Sequence, residues 1–247
     1  MLLLFLLSVA ALTYHLSFLG VLAFPALASL QVGLDLILFI IAMIGGRVIP
    51  MVTNNGVPGA GATQNALVEK LALGGVLVLL VTDVLQISSA GIAILALVIA
   101  IAHAARLCLW RPWRTLGTPL VWILHASYGW IVTYLVLRSL AAFGTVAMSL
   151  AIHALTIGAI GGMTMGMMTR TARGHTGRAL TADGFEVACF VLIQLAALSR
   201  VFGGMLFPEA YLATVIASGT CWSLAFAMFS VRYWPVLSRS RLDGKPG

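Results

Sequence analysis

Four histidines, His15, His103, His125 and His153, stand inside long apolar runs, and a fifth, His175, stands among three arginines in the stretch HALTIGAIGGMTMGMMTRTARGHTGR over residues 153–178. A charge in hydrocarbon costs about 2.5–3.5 kcal/mol on insertion scales, so a titratable group there needs a reason: a hydrogen bond to a neighbouring helix or a ligand. Imidazoles on different helices are donors that haem iron or copper takes. With about 1.5 Å of rise per residue, His103 and His125 fall at a similar depth in the cytoplasmic half of adjacent antiparallel runs. His15 and His153 match each other in the outer half. His175 falls in a loop outside the hydrocarbon, which makes it the poorer ligand candidate.

The run that begins at His153 carries two faces at 100° per residue. Thr156, Ile160, Thr164 and Met167 lie on the histidine side, and Gly158, Gly162 and Gly166 lie opposite. The glycines form a small-xxx-small seam of the kind that lets two helix backbones approach. Met163, Met165, Met167 and Met168 offer thioethers to Cu(I), although adaptable packing explains them equally well. Arg47 in GGRVIP and Arg170 close their runs at the inner surface, where guanidinium forks can clamp haem propionates; setting topology is the plainer role for both. Cys108, Cys189 and Cys221 lie singly in apolar runs and read as small buried hydrophobes. There is no GxSxG, no HExxH and no pair of carboxylates to suggest hydrolysis.

The elements that position these groups are membrane helices. The 247 residues are 61% hydrophobic and 9% charged, with a mean hydropathy of +1.07, which excludes an ordinary soluble domain. The runs lack the period-2 alternation of a membrane barrel, so the fold class is all-α, a polytopic helical bundle in a lipid bilayer. Eight spans are expected near 2–24, 31–49, 67–87, 90–109, 119–137, 142–168, 184–202 and 209–230, followed by a basic tail over 231–247. The segment 51–65, MVTNNGVPGAGATQN, reads as a loop. PALAS at 25–29 resembles a cleavage site, but no Lys or Arg precedes the first run and its length exceeds a signal h-region, so a retained helix is expected.

With eight spans, the basic loops 111–117 and 170–182 and the tail share one side. The opposite side holds Arg138 and Arg200 against Asp35, Asp83 and Glu209, which read as structural ion pairs. The positive-inside rule puts both termini in the cytoplasm, and membrane topology accounts for the net charge of +7 without nucleic acid.

At GGRVIPMVTNN (45–55), PLVWILHASYGW (119–130) and HALTIGAIGGMTMGMMTRTARGHTGRAL (153–180), the chain resembles the NnrS family of bacterial membrane proteins. The shared positions are Gly45, Gly46, Arg47 and Pro50; Trp122, His125 and Tyr128; and His153, Gly158, Gly161, Gly162, Met168, Arg170, Gly174, His175, Gly177 and Arg178. The resemblance implies a multi-pass protein of the bacterial inner membrane that contains haem b and copper and acts in nitric oxide metabolism, resistance to nitrosative stress and denitrification. Typical members look longer, with about twelve spans and a further histidine motif near the N-terminus. Against them the chain reads as the C-terminal two-thirds, which leaves room for a homo-oligomer or a partner that replaces those helices. A transporter or channel for a small solute or ion, and a membrane assembly subunit without chemistry, are the competing functions.

Overall fold

A computed structural model describes residues 1–87, 90–242 and 244, and among them the regular structure is entirely helical. Eight helical rods follow in chain order: α1 (Leu2–Phe18), α2 (Ala26–Gly56), α3 (Ala66–Val84), α4 (Ala90–Leu109), α5 (Pro119–Ala142), α6 (Met148–His175), α7 (Gly184–Leu206) and α8 (Tyr211–Leu237). Six of these segments are long and apolar enough to cross a membrane. The two that do not qualify are α1, which is 17 residues long, and α3, which carries Glu69, Lys70 and Asp83.

Each rod packs on its neighbours in sequence, and α5 is the most buried, contacting α2, α4, α6 and α7. The core runs along α5 through Leu120, Ile123, Leu124, Tyr128, Ile131, Tyr134 and Leu135. By contrast α1 lies on α2 and leaves Leu2, Phe5, Leu12 and Phe18 exposed.

The helix ends depart from expectation in an instructive way. α2 does not stop at Arg47 or Ile49 but runs through Pro50 to Gly56. Proline has no N–H to give the carbonyl four residues back, and an unmet carbonyl is costly inside a bundle. Here that carbonyl belongs to Gly46, and it accepts a hydrogen bond from Gln64 Nε2 instead. The returning segment is pinned further by Asn54, whose side chain bonds both the N–H and the carbonyl of Ala62 at 2.9 Å. The loop therefore shrinks to 57–65, and Arg47 is an exposed residue within a helix rather than its terminus. Likewise α6 continues to His175, so His175 is the exposed last helical residue, and α8 continues to Leu237, which leaves a shorter tail than 231–247.

Residues Ala154–Gly161 of α6 and Ser199–Gly203 of α7 are π-helical. A π turn holds more residues than an α turn, so a face drawn at 100° per residue drifts beyond His153.

Candidate functional site

The glycine seam explains how α6 reaches α5. A Cβ at Gly158 would enter the Trp130 ring, one at Gly162 would meet Ser127 Oγ, and one at Gly166 would lie 2.9 Å from Ile123 Cγ2. Glycine positions rising by four meet α5 positions falling by three or four, the register of an antiparallel pair. The partners line one stripe of α5, and the opposite side of α5 turns toward α2 and α4.

On that opposite side, near the basic end, the helices hold a buried polar cluster. Arg106 of α4 is 1% exposed. Its Nε donates to Glu69 Oε1 at 2.7 Å, Nη2 pairs with Glu69 Oε2, and Nη1 donates to the Ala42 carbonyl at 2.7 Å and to the Tyr128 hydroxyl at 2.8 Å. Its guanidinium also lies over Trp110 and Tyr128, at 5.2 and 5.8 Å from the ring centroids. Gly46 leaves space for this group, since a Cβ there would collide with Arg106 Nη2. A guanidinium so placed is tolerable only because its donors are nearly all used.

The histidines stand around that cluster. His103, with no exposed surface, bonds the Tyr128 hydroxyl through Nδ1 at 2.7 Å. His125, 3% exposed, bonds Thr53 Oγ1 through Nε2 at 2.8 Å. The Trp110 indole links them: it stands edge-on to His125 at 6.4 Å and to Tyr128 at 4.6 Å between centroids, and Tyr128 is 5.7 Å from His103. Two buried nitrogens here have no partner, His125 Nδ1 and Trp110 Nε1, while His103 meets the backbone of Ala72 as well as the Tyr128 hydroxyl. Buried polar atoms are nearly always paired, so two unpaired nitrogens on one cluster single it out as the candidate site.

The remaining candidates lie elsewhere. His153 is half-buried on α6, its Nδ1 bonded to the Ser149 carbonyl, and His15 is exposed on α1 beside Tyr14. α1 packs on α2 while α6 lies against α5 and α7, so the match in depth between His15 and His153 does not place them in one cluster. Met167 lines a cleft of about 120 Å³ with Met163, Gly45 and Leu124. Arg47 is exposed and Arg170 half-exposed, Trp122 stands edge-on to Phe190, and Arg178 lies beyond α6. Among the described residues, no group of three or more His, Cys, Asp or Glu gathers in a metal-binding arrangement.

Two further ion networks brace the bundle. At the far end Arg138 pairs with both Asp35 at 2.9 Å and Asp83 at 2.5 Å, rather than sharing them with Arg200, which lies over Tyr211. At the basic end Glu186 of α7 accepts from Arg173 and from the Tyr233 hydroxyl, both at 2.8 Å. Asp183 caps α7 in a reciprocal box with Glu186. Hydrogen bonding to the Glu186 side chain, the N–H groups of Phe185 and Glu186 and the charge of Arg232 bring the Asp183 carboxyl down to about 2.

Arg106, Glu69, Thr53, Trp110 and Gln64 are the cluster members that the sequence did not single out. One signal was present: His103, Arg106 and Trp110 recur at i, i+3 and i+7, a single helical face. The NnrS protein family model matches residues 1–241. No curated protein and no solved structure matches the chain.

Proposed function

The chain belongs to the NnrS family, and from that premise we propose a haem- and copper-binding protein of the bacterial inner membrane that acts in nitric oxide metabolism or resistance to nitrosative stress, with a link to denitrification. We also propose that all eight rods span the bilayer, with both termini in the cytoplasm, because this arrangement gathers the basic connections on one side. The observation that supports the cofactor reading is the unpartnered Nδ1 of His125, a family motif residue, with the unpartnered indole nitrogen of Trp110 on the ring beside it.

The donors fit the groups in kind, since imidazole suits both iron and copper. His125, through its unpartnered Nδ1, would hold the metal, and a bound haem iron or copper would supply a binding site for NO. The chain itself does three things. Thr53 and Tyr128 orient the two imidazoles, Glu69 neutralises Arg106 so that the cluster tolerates the interior, and the enclosing rings keep bulk water from the site. Nearly all the donors of Arg106 are taken by its own partners, so propionates would fall to Arg47 or Arg170 at the surface. Protein purified after haem-replete expression should show a Soret band and stoichiometric iron or copper; a colourless, metal-free preparation would refute the proposal.

A second reading, a transporter or channel, draws on the Asp35–Arg138–Asp83 network beside a cavity of about 520 Å³ lined by Asp83, Arg138 and Met148. It predicts solute or ion flux into proteoliposomes that Asp83→Asn abolishes.

A further inference from the structure

Asp35, Asp83 and Arg138 bring two acids and one base together at the far end of the bundle, and their hydrogen bonds are unevenly shared. Asp35 has no exposed surface. Its Oδ1 accepts from Gln31 Nε2 at 3.1 Å, from Arg138 Nη1 at 2.9 Å and from the Tyr134 hydroxyl at 3.3 Å. Its Oδ2 is buried and accepts from nothing. The other guanidinium nitrogen, Nη2, donates to Asp83 Oδ2 at 2.5 Å. Arg138 thus clamps the two carboxyls side by side, and the Asp83 side chain comes within hydrogen-bonding reach of Asp35.

Ionised carboxylates only accept, so two of them cannot bond each other until one proton lies between them. Asp35 Oδ1 is already taken by three donors, which leaves Oδ2 as the oxygen that carries or receives that proton. The charge count agrees. Arg138 offsets one carboxylate, and a second, unmatched charge inside a span is costly. One shared proton makes the triad neutral and gives the bare oxygen a partner, as in other acid pairs that occupy one site. Among the described residues, the other groups around the triad add no charge. They are Gln31 and Tyr134, with Ala90, Ile92 and Met148 from α4 and the start of α6. From α1, Tyr14 and His15 reach a different face of α2, beside Gly33 and Ile37.

The two acids differ in access. The Asp83 side chain is 15% exposed, and with Arg138 it lines the cavity of about 520 Å³. We propose that Asp35 and Asp83 form a proton-binding site, in which one proton enters from the cavity at Asp83 and is held at Asp35 Oδ2. The site requires neither haem nor copper, so it stands apart from the cofactor reading.

The test is infrared spectroscopy of the full chain in an ester-free detergent at neutral pH, read at the C=O stretch of protonated carboxylic acids. Native protein should show such a band, and transfer to D2O should shift it because the cavity lets the proton exchange. Asp35→Asn and Asp83→Asn should each abolish it, since Arg138 then matches the one remaining carboxylate. Glu209→Gln, outside the triad, should leave it intact. Asp83→Glu keeps the acid and should move the band without removing it, which assigns the band even where an asparagine variant fails to fold. Native protein without an acid band, a band that both asparagine variants keep, or a band insensitive to D2O would overturn the proposal. So would loss of the band in sodium but not in choline buffer, which would make the pair a metal-cation site. Colourless protein that shows the band would remove the haem reading alone, and haem-loaded protein that lacks it would remove this one alone.

Discussion

Pro50 and Gln64 show how single residues set the geometry of the cluster. The proline ends the helix on the usual reading of GGRVIP, yet α2 continues because Gln64 takes over the carbonyl that Pro50 leaves unmet. Gln64→Leu should therefore cost about 1–3 kcal/mol, the penalty of a buried acceptor without a donor. In a Pro50→Ala background the backbone regains an N–H at that position, which can bond the Gly46 carbonyl, and the same leucine substitution should become nearly neutral. Thermal unfolding of the four proteins in detergent checks this cycle, and equal effects of Gln64→Leu in both backgrounds would contradict it. The two buried histidines were legible in the sequence as titratable residues matched in depth. Their different partners were not, because Thr53 and Tyr128 reach them from elsewhere in the chain.

Helices α5 and α6 show what periodicity can and cannot carry. The stripe Gly158, Gly162 and Gly166 was readable at a spacing of four, and it is the face that meets α5. The opposite face was less so. The π segment Ala154–Gly161 shifts the angles beyond His153, which leaves Thr156 and Ile160 half-buried and Thr164 exposed. Helix ends were misjudged wherever polar side chains stand in for hydropathy, as at α2 and at the His175 end of α6. Gly162→Ala should destabilise by about 1–3 kcal/mol, since its methyl meets Ser127 Oγ and lies 3.0 Å from Gln194 Nε2. Gly219→Ala, in a helix with open space at that Cβ, should instead stabilise by about 0.5–1 kcal/mol. Unfolding midpoints that fail to separate the two variants would contradict the packing account.

At the scale of the molecule, charge and chemistry divide the bundle into two ends. The Arg106 cluster, the Glu186 network and the connections 57–65, 110–118 and 176–183 lie at one end, and the Arg138 network lies at the other. Residue types made the asymmetry legible, but not the pairings: Glu69 and Arg106 lie 37 residues apart, and only the packing of α3 on α4 brings them together. If the basic end faces the cytoplasm, Leu116→Cys and Leu180→Cys should resist a membrane-impermeant thiol reagent in intact cells, while Gly144→Cys at the other end should react. The reverse pattern would invert the topology.

The measurement that bears most directly on the whole account is the optical spectrum and metal content of detergent-purified protein with and without NO, taken on the native chain, His125→Ala and His15→Ala. The native protein should show a Soret band, bound metal and a spectral shift on adding NO; His125→Ala should lose metal, and His15→Ala, whose histidine is exposed on α1, should change little. Native protein without haem or copper, or full metal content and NO response in His125→Ala, would contradict it.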